Sequence, residues 1–252
     1  MRAILTSMDI VVDRRSINMG DDAEYHRRTV QVAADPRVAD ALAAIDLPHY
    51  LPTLHRPWLV TCQDRPVAVL VRGTLHYGGP VRPTDRLATL VPTGATPEFY
   101  CREVVGDDPQ LAWDTAMAPR SVREAAGLGQ IMAHGDERGW RRVQEVVRRV
   151  TKLAASLPEQ DRDTVITAAW VIDIGSLRTM VPTGFRPLDA ARHLRGYGGG
   201  HFSDEVISLV AHRGGARFEA AERGLSKELA EFPFQDTPLL ALLTKADRSA
   251  TV

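Results

Sequence analysis

Hydrophobic and polar positions in the first third of the chain form short segments of the kind that build β-strands. An apolar segment at residues 1–13 and an alternating segment at 24–33 predict two strands, with a turn between them at 13–24. Two further apolar segments, 58–62 and 66–71, flank a short polar segment whose length suits a tight hairpin. The pattern therefore predicts two pairs of strands near the N-terminus.

One helix is predicted between these two pairs of strands. Asp35 is a suitable N-cap, and Pro36 suits the first helical position, where no backbone N–H is needed. Three apolar residues then recur at spacings of three and four, as on one face of a helix: Val38, Leu42 and Ile45. The segment 48–57 contains several prolines and predicts a loop or an irregular edge.

A change of pattern near residue 108 predicts a domain boundary. Segments 86–92 and 98–105 predict additional strands, and a turn-forming segment at 106–109 follows them. We therefore expect a β-rich domain at 1–108 and a mainly helical domain at 109–252.

Beyond the boundary, apolar residues recur at helical spacing. Helices are predicted at 119–134, 137–156, 189–195, 203–213, 216–232 and 237–246. Residues 162–174 fit either a buried strand or a buried helix. The segment 137–156 is the most amphipathic, with one apolar face formed by Trp140, Val143, Val146, Val147, Val150 and Leu153. The predicted fold class is α+β, a small mixed sheet with one helix followed by a mainly helical domain.

The order of predicted elements in residues 1–75 resembles the β-grasp, or ubiquitin-like, fold: a hairpin, a helix and then more strands. The resemblance lies in the order of elements and not in a sequence motif, and it does not extend into the C-terminal half. It implies a small sheet crossed by one helix, whose exposed face or edge binds a partner.

Composition limits the classes of function. The 252 residues are 44% apolar and 25% charged, as in globular proteins, and they suffice for one large or two modest domains. The net charge of -1 argues against a nucleic-acid-binding protein driven by overall charge. Arginine dominates the cations, since lysine occurs only at 152, 227 and 245. With abundant alanine, valine and glycine, this usage predicts a GC-rich bacterial genome.

Cysteine usage and the length of apolar runs predict the compartment. Cys62 and Cys101 fit neither a disulfide framework nor a zinc spacing, so we expect both to be buried structural residues. The longest uncharged runs are shorter than the roughly 18 residues that a membrane span needs. No basic segment followed by an apolar one opens the chain. The sequence therefore predicts a cytoplasmic protein without a membrane partner.

The glycine-rich segment 196–201 is the strongest local candidate for ligand binding. Its backbone N–H groups could approach a phosphate at the start of the following helix. Against this, a helix is predicted before the loop instead of a strand, and no Lys-Ser or Lys-Thr pair follows. The alternative is a flexible linker in which Ser203 caps the next helix. The candidate ligand residues are Gly198, Gly199, Gly200, His201 and Asp204.

The sequence contains no assignable catalytic residue. It has no G-x-S-x-G motif, and its histidines lack the i, i+4 spacing of a helical zinc pair. Adjacent carboxylates such as Asp21 and Asp22 lie in segments typical of turns. We therefore expect no metal site and no cofactor.

A group of cations lies on the polar side of the predicted helix 137–156. Its members are Arg138, Arg141, Arg142, Arg148, Arg149 and Lys152. Arginine suits bidentate contacts with carboxylates and phosphates, but Glu145 interrupts the group and further acidic residues are near in sequence. A solvated face, an acidic protein partner and nucleic acid remain alternatives, of which nucleic acid is not favoured.

Two hypotheses of function follow. The first is a non-enzymatic bacterial interaction protein, such as an adaptor, regulator or accessory subunit, that binds a protein partner. The alternative is an enzyme acting on a phosphorylated or nucleotide substrate around the loop 196–201. The sequence specifies neither the partner nor the oligomeric state.

Overall fold

A computed structural model describes residues 7–16, 26–52, 56–132, 136–176 and 183–250. The chain forms two compact units, Met1–Ala116 and Met117–Val252. The predicted boundary at residue 108 lies before the last helix of the first unit. The predicted turn at 13–24 and the first residues of the opening strand fall mostly outside the described residues.

The first unit contains a mixed sheet of six strands. Their order across the sheet is β2-β1-β6-β3-β4-β5. Strands β1 and β6 are parallel, and the other neighbouring pairs are antiparallel. The strands are β1 Ser7–Arg14, β2 Arg28–Ala33, β3 Trp58–Cys62, β4 Arg65–Val71, β5 Thr74–Tyr77 and β6 Glu98–Glu103.

The predicted strand pairs are confirmed. In β1 and β2 the alternating apolar residues Ile10, Val12 and Val32 are buried in one core. Between β3 and β4, Gln63 and Asp64 have φ of 49° and 63°, as a two-residue type I′ hairpin turn requires. The strand predicted at 98–105 corresponds to β6.

The strand predicted at 86–92 is wrong. Leu87–Thr89 forms a 3₁₀ turn, and the buried residues Leu87 and Leu90 are three apart, as a helical turn requires and a strand does not. Strand β5 was not predicted. Leu75 and Tyr77 alternate with Thr74 and His76 and pack on the core, but four residues are the shortest pattern from which a strand can be predicted.

Helices α1 Val38–Ile45 and α2 Leu47–Tyr50 pack on one face of the sheet. The predicted helix start at Asp35 and Pro36 is wrong, because α1 begins two residues later. The Pro36 carbonyl accepts the Leu87 N–H at 2.9 Å, and a bridge pairs Arg37 with Arg86, so this segment stays extended. Helix α2 is one helical turn within the segment predicted to be a loop.

Helix α3 Pro109–Met117 packs on the opposite face. It covers the part of the sheet formed by β3 and β4, where Leu59, Val69 and Val71 are buried. On the part formed by β2, β1 and β6 the same face is only partly covered: Val11 is buried, whereas Tyr100 is 40% accessible.

The second unit is helical. Its helices are α4 Arg120–Met132, α5 Glu137–Leu153, α6 Glu159–Trp170, α7 Arg186–Gly196, α8 Asp204–His212, α9 Ala216–Glu222, α10 Ser226–Leu229 and α11 Pro238–Ser249. Most of the predicted helices are confirmed, and the ambiguous segment 162–174 lies mainly in α6. The single helix predicted at 216–232 is two short ones, separated at Gly224, whose φ is +71°.

The predicted apolar face of α5 forms part of the core of this unit. Val143, Val147 and Val150 are buried, and α5 packs on α6 and α11. The Trp140 and Trp170 rings stack at 5.6 Å. Leu153 departs from the prediction, since it is 39% exposed. Within the described part of the chain, no helix has the length and apolarity needed to cross a membrane.

Candidate functional site

The cations of α5 do not form one outward surface. Arg142 donates to Asp173 and to Asp247, and Arg213 donates to the same two carboxylates at 2.7 and 3.2 Å. The side chains of Arg213, Asp173 and Asp247 are only 8%, 11% and 6% exposed. These four residues are called the ion-pair ring below. Arg142, which was predicted among the cations of the polar side of this helix, is 30% exposed and binds two carboxylates inside the unit.

The other predicted cations are largely neutralised within α5. Arg141 pairs with Glu137 at 3.4 Å, and Glu145 accepts from Arg148 at 3.3 Å and from Arg149 at 2.6 Å. In the part of the chain that the structure describes, Arg138 and Lys152 are exposed and form no ion pair. The cationic surface of α5 is therefore small.

The glycine-rich segment joins α7 to α8. Gly198 and Gly200 have φ of +62° and +104°, which favours glycine, and Ser203 caps α8 by accepting the Val206 N–H at 3.3 Å. Asp204 lies exposed in the first turn of α8. The local structure is thus a capped linker between two helices.

Of the predicted ligand residues, His201 alone lines a cavity among the residues described. This groove, called the His201 groove, has a volume of about 590 Å³. It is lined by Ser121 of α4, by Glu159, Gln160, Asp163, Thr164 and Thr167 of α6, and by His201, Phe202, Ser203 and Val206. Gly198, Gly200 and Asp204 are not among the described residues of this lining, and Gly199 lies outside the residues whose surroundings the structure describes.

Carboxylates dominate the electrostatics of the His201 groove. His201 Nε2 lies 2.6 Å from Glu124 Oε2, and Arg120 donates to the other oxygen of Glu124 at 2.6 Å. The hydrogen bond from Arg120 lowers the pKa of Glu124. Burial raises the pKa of Asp163. A phosphate would meet Glu159 and Asp163 and be repelled, so the lining favours a cationic or neutral polar ligand.

No metal centre is formed by the residues that the structure describes, since none of their His, Cys, Asp and Glu side chains gather in groups of three or more. Cys62 and Cys101 are buried thiols, and burial raises the pKa of each to about 12. Neither cysteine is thus an activated nucleophile.

A second groove was missed by the sequence analysis. This Phe218 groove has a volume of about 550 Å³ and lies between the end of α8, helices α9 and α10, and the segment that follows them. Phe218 is 83% exposed, and Phe234 is 42% exposed. The lining comprises His212, Arg217, Phe218, Ala221, Ser226, Leu229, Ala230, Phe232 and Phe234.

Buried polar side chains of α8 hold one wall of the Phe218 groove. Ser208 Oγ donates to the Pro233 carbonyl at 2.6 Å, and the His212 ring lies 2.8 Å from the Phe232 carbonyl through Nε2, which must therefore donate. Burial lowers the pKa of His212, so its ring is neutral at neutral pH. These bonds fix the segment that carries Phe232 and Phe234.

The groove is apolar, with one cation at its edge. The Arg217 guanidinium lies over the Phe234 ring, 4.3 Å from its centroid. Among the described lining residues, Arg217 alone carries a formal charge at neutral pH. Contiguous exposed apolar patches are uncommon on monomeric proteins and often mark binding surfaces. A groove lined by exposed aromatic side chains is therefore a candidate binding surface.

The comparisons with known proteins return no match. No family model, no curated protein and no solved structure matches this chain. The His201 groove and the Phe218 groove are therefore the two features of the structure that bear on function.

Proposed function

We propose that this is a non-enzymatic protein-interaction module of the bacterial cytoplasm, and that its protein partner binds at the Phe218 groove. It would act as an adaptor, a regulator or an accessory subunit. The observation that carries the proposal is Phe218, a phenylalanine that is 83% exposed beside an apolar groove.

The composition of the groove supports a protein partner. Phenylalanine and arginine are enriched in the centres of protein interfaces, and the groove brings Phe218, Phe234 and Arg217 together. Fully burying a phenylalanine side chain contributes about 1.5–3 kcal/mol. An apolar side chain of the partner, seated between Phe218 and Phe234, would gain this energy, and an acidic group next to it would meet Arg217.

The rigidity of the groove supports the same proposal. Ser208 and His212 hold the wall in place before any partner arrives. A preformed surface loses less conformational entropy on binding than a mobile one, so more of the contact energy appears as affinity.

We further infer that the first unit is related to the β-grasp fold. A hairpin of β1 and β2, helix α1 and further strands follow one another in the expected order. The last strand, β6, is parallel to β1 in the middle of a mixed sheet. Strand β5 and helix α3 would be additions to this core.

The enzymatic alternative keeps one specific observation in its favour. His201 and Glu124 form a close pair at 2.6 Å beside a groove of about 590 Å³. A thermal-shift series with inorganic phosphate and ATP tests it, since a ligand at 100 times its Kd adds about 2.7 kcal/mol of stability. We expect no shift with either compound. A shift that His201→Ala removes would favour the enzyme.

Affinity capture from cells tests the proposed docking site. Ile131 of α4 is a matched control, because it is 70% exposed and does not line the groove. We expect that wild-type protein and Ile131→Ser capture the same partner, and that Phe218→Ser loses it. Circular dichroism checks that both variants are folded. Equal capture by both variants would contradict the proposal.

A further inference from the structure

Strand β2 forms one edge of the sheet, and the described residues give it little of the usual protection of an edge strand. It pairs with β1 on one side, and no other described strand or backbone bond occupies its outer side. Its sequence contains no proline and no lysine, its one charged residue is Arg28 at the first position, and its pairing with β1 runs without a bulge over six residues. Natural proteins use such features to prevent edges from pairing, so an unprotected edge is available for a further strand.

The pairing of β1 shows which groups of β2 point outwards. The Val11 N–H donates to the Pro97 carbonyl at 2.9 Å, so the backbone N–H and C=O groups of Val11 point towards β6. Because successive residues of a strand point their backbone groups to opposite sides, Ile10 points towards β2. Ile10 lies opposite Val30, which therefore points back to β1.

Because the backbone groups of Val30 point to β1, those of Val32 do so too, and the alternate residues of β2 present their N–H and C=O groups on the outer edge. They are Thr29, Gln31 and Ala33. All three have uncharged, exposed side chains, on the sheet face that α3 leaves open. The outer edge of β2 thus offers backbone hydrogen bonds without charge.

We propose that β2 binds β2 of a second copy of this chain, antiparallel, about a two-fold axis that passes through Gln31. In this register Gln31 faces its own counterpart, and Thr29 faces Ala33 of the second copy. All outward residues are then paired. A shift by two residues in either direction would move Thr29 or Ala33 beyond the end of the facing strand, and a shift by one would turn the side chains to the wrong face.

The residues that flank the strand carry complementary charges in this register. Arg27 lies one residue before β2 and Asp35 lies two residues after it, at a bend, so each would be near the other residue of the second copy, and the symmetry produces this proximity twice. The two side chains are 41% and 61% exposed, and they already take part in surface ion pairs with Glu98 and Arg86. Opposite charges across a strand pair stabilise it, while like charges would oppose it. Val30 faces Val32, which continues the apolar row of the core face.

Cysteine cross-linking tests both the contact and the register. The native Cys62 and Cys101 are buried and do not interfere. In Gln31→Cys the facing Cα atoms would be about 5.5 Å apart, within the range of a disulfide. In Thr29→Cys or Ala33→Cys alone, equivalent residues are offset by about 13 Å along the strands. We therefore expect disulfide dimers from Gln31→Cys and from a mixture of the other two variants, but from neither of those alone.

A proline variant gives an independent measurement. Gln31→Pro removes an outward N–H that β1 does not use, while Gln31→Ala keeps it. In sedimentation experiments we expect a dimer for wild type and Gln31→Ala, and a monomer for Gln31→Pro. A monomeric wild type, or dimers from Thr29→Cys alone as abundant as those from Gln31→Cys, would overturn the proposal. The cross-linking pattern decides the question if Gln31→Pro fails to fold.

Discussion

His212 is a buried residue on which the shape of the Phe218 groove depends. It is 6% exposed, and its Nε2 donates to the Phe232 carbonyl at 2.8 Å. Its Nδ1 has no hydrogen-bond partner among the described groups, so a second proton there would be buried without an acceptor. The fold therefore holds the neutral ring.

This residue makes stability depend on pH. Burial lowers the pKa of His212 below 6.5, so the unfolded chain takes up a proton more readily than the folded one. The stability that the buried neutral His212 ring contributes is fully present above the pKa of this residue in the unfolded chain. It is lost as the pH falls through the pKa of His212 in the folded chain. His212→Gln keeps an N–H donor without the titration. We expect the melting temperature of wild type to fall more steeply than that of His212→Gln as the pH drops below 6.5.

If the melting temperatures of the two proteins fell equally with pH, the pKa of His212 would not differ between the folded and the unfolded chain. His193, whose pKa burial also lowers, is present in both proteins and cancels in the comparison.

At the scale of elements, α5 shows what periodicity can predict. The spacing of Val143, Val147 and Val150 located the buried face correctly. The pattern also placed Arg142 with the outward cations, although it binds Asp173 and Asp247, which are 31 and 105 residues away in sequence. A partner so distant in sequence leaves no local signal.

Charge reversal distinguishes the two kinds of arginine in α5. Arg142→Glu would place a third carboxylate in the ion-pair ring, and breaking a buried ion pair costs about 3–5 kcal/mol. Arg141→Glu changes an exposed residue, where the effect usually stays within about 0.5 kcal/mol. We expect urea denaturation to show this difference in the free energy of unfolding. A similar, small loss in both variants would mean that the ring contributes little.

Other elements were missed because tertiary contacts decide them. Pro36 and Arg37 stay extended through their contacts with Leu87 and Arg86, so α1 starts later than its local sequence suggests. The four residues of β5 alternate over too short a stretch to predict a strand, and their pairing with β4 completes it.

At the scale of the whole molecule, the sequence predicted that a mixed sheet and a helical region occur together in the chain. It did not predict the Phe218 groove. Phe218 and Phe232 fit the apolar pattern of one long helix, whereas the folded chain breaks at Gly224 and both side chains line the groove. Exposure of an apolar side chain is a property of the folded chain.

Photo-cross-linking in living cells tests whether a protein partner contacts the Phe218 groove. A photoreactive phenylalanine analogue is placed at Ala221, which lines the groove, and for comparison at Ile131, which does not. We expect one discrete adduct from position 221, its loss when Phe218→Ser is added, and no such adduct from position 131. The absence of an adduct at 221, or the same adduct from both positions, would contradict the claim.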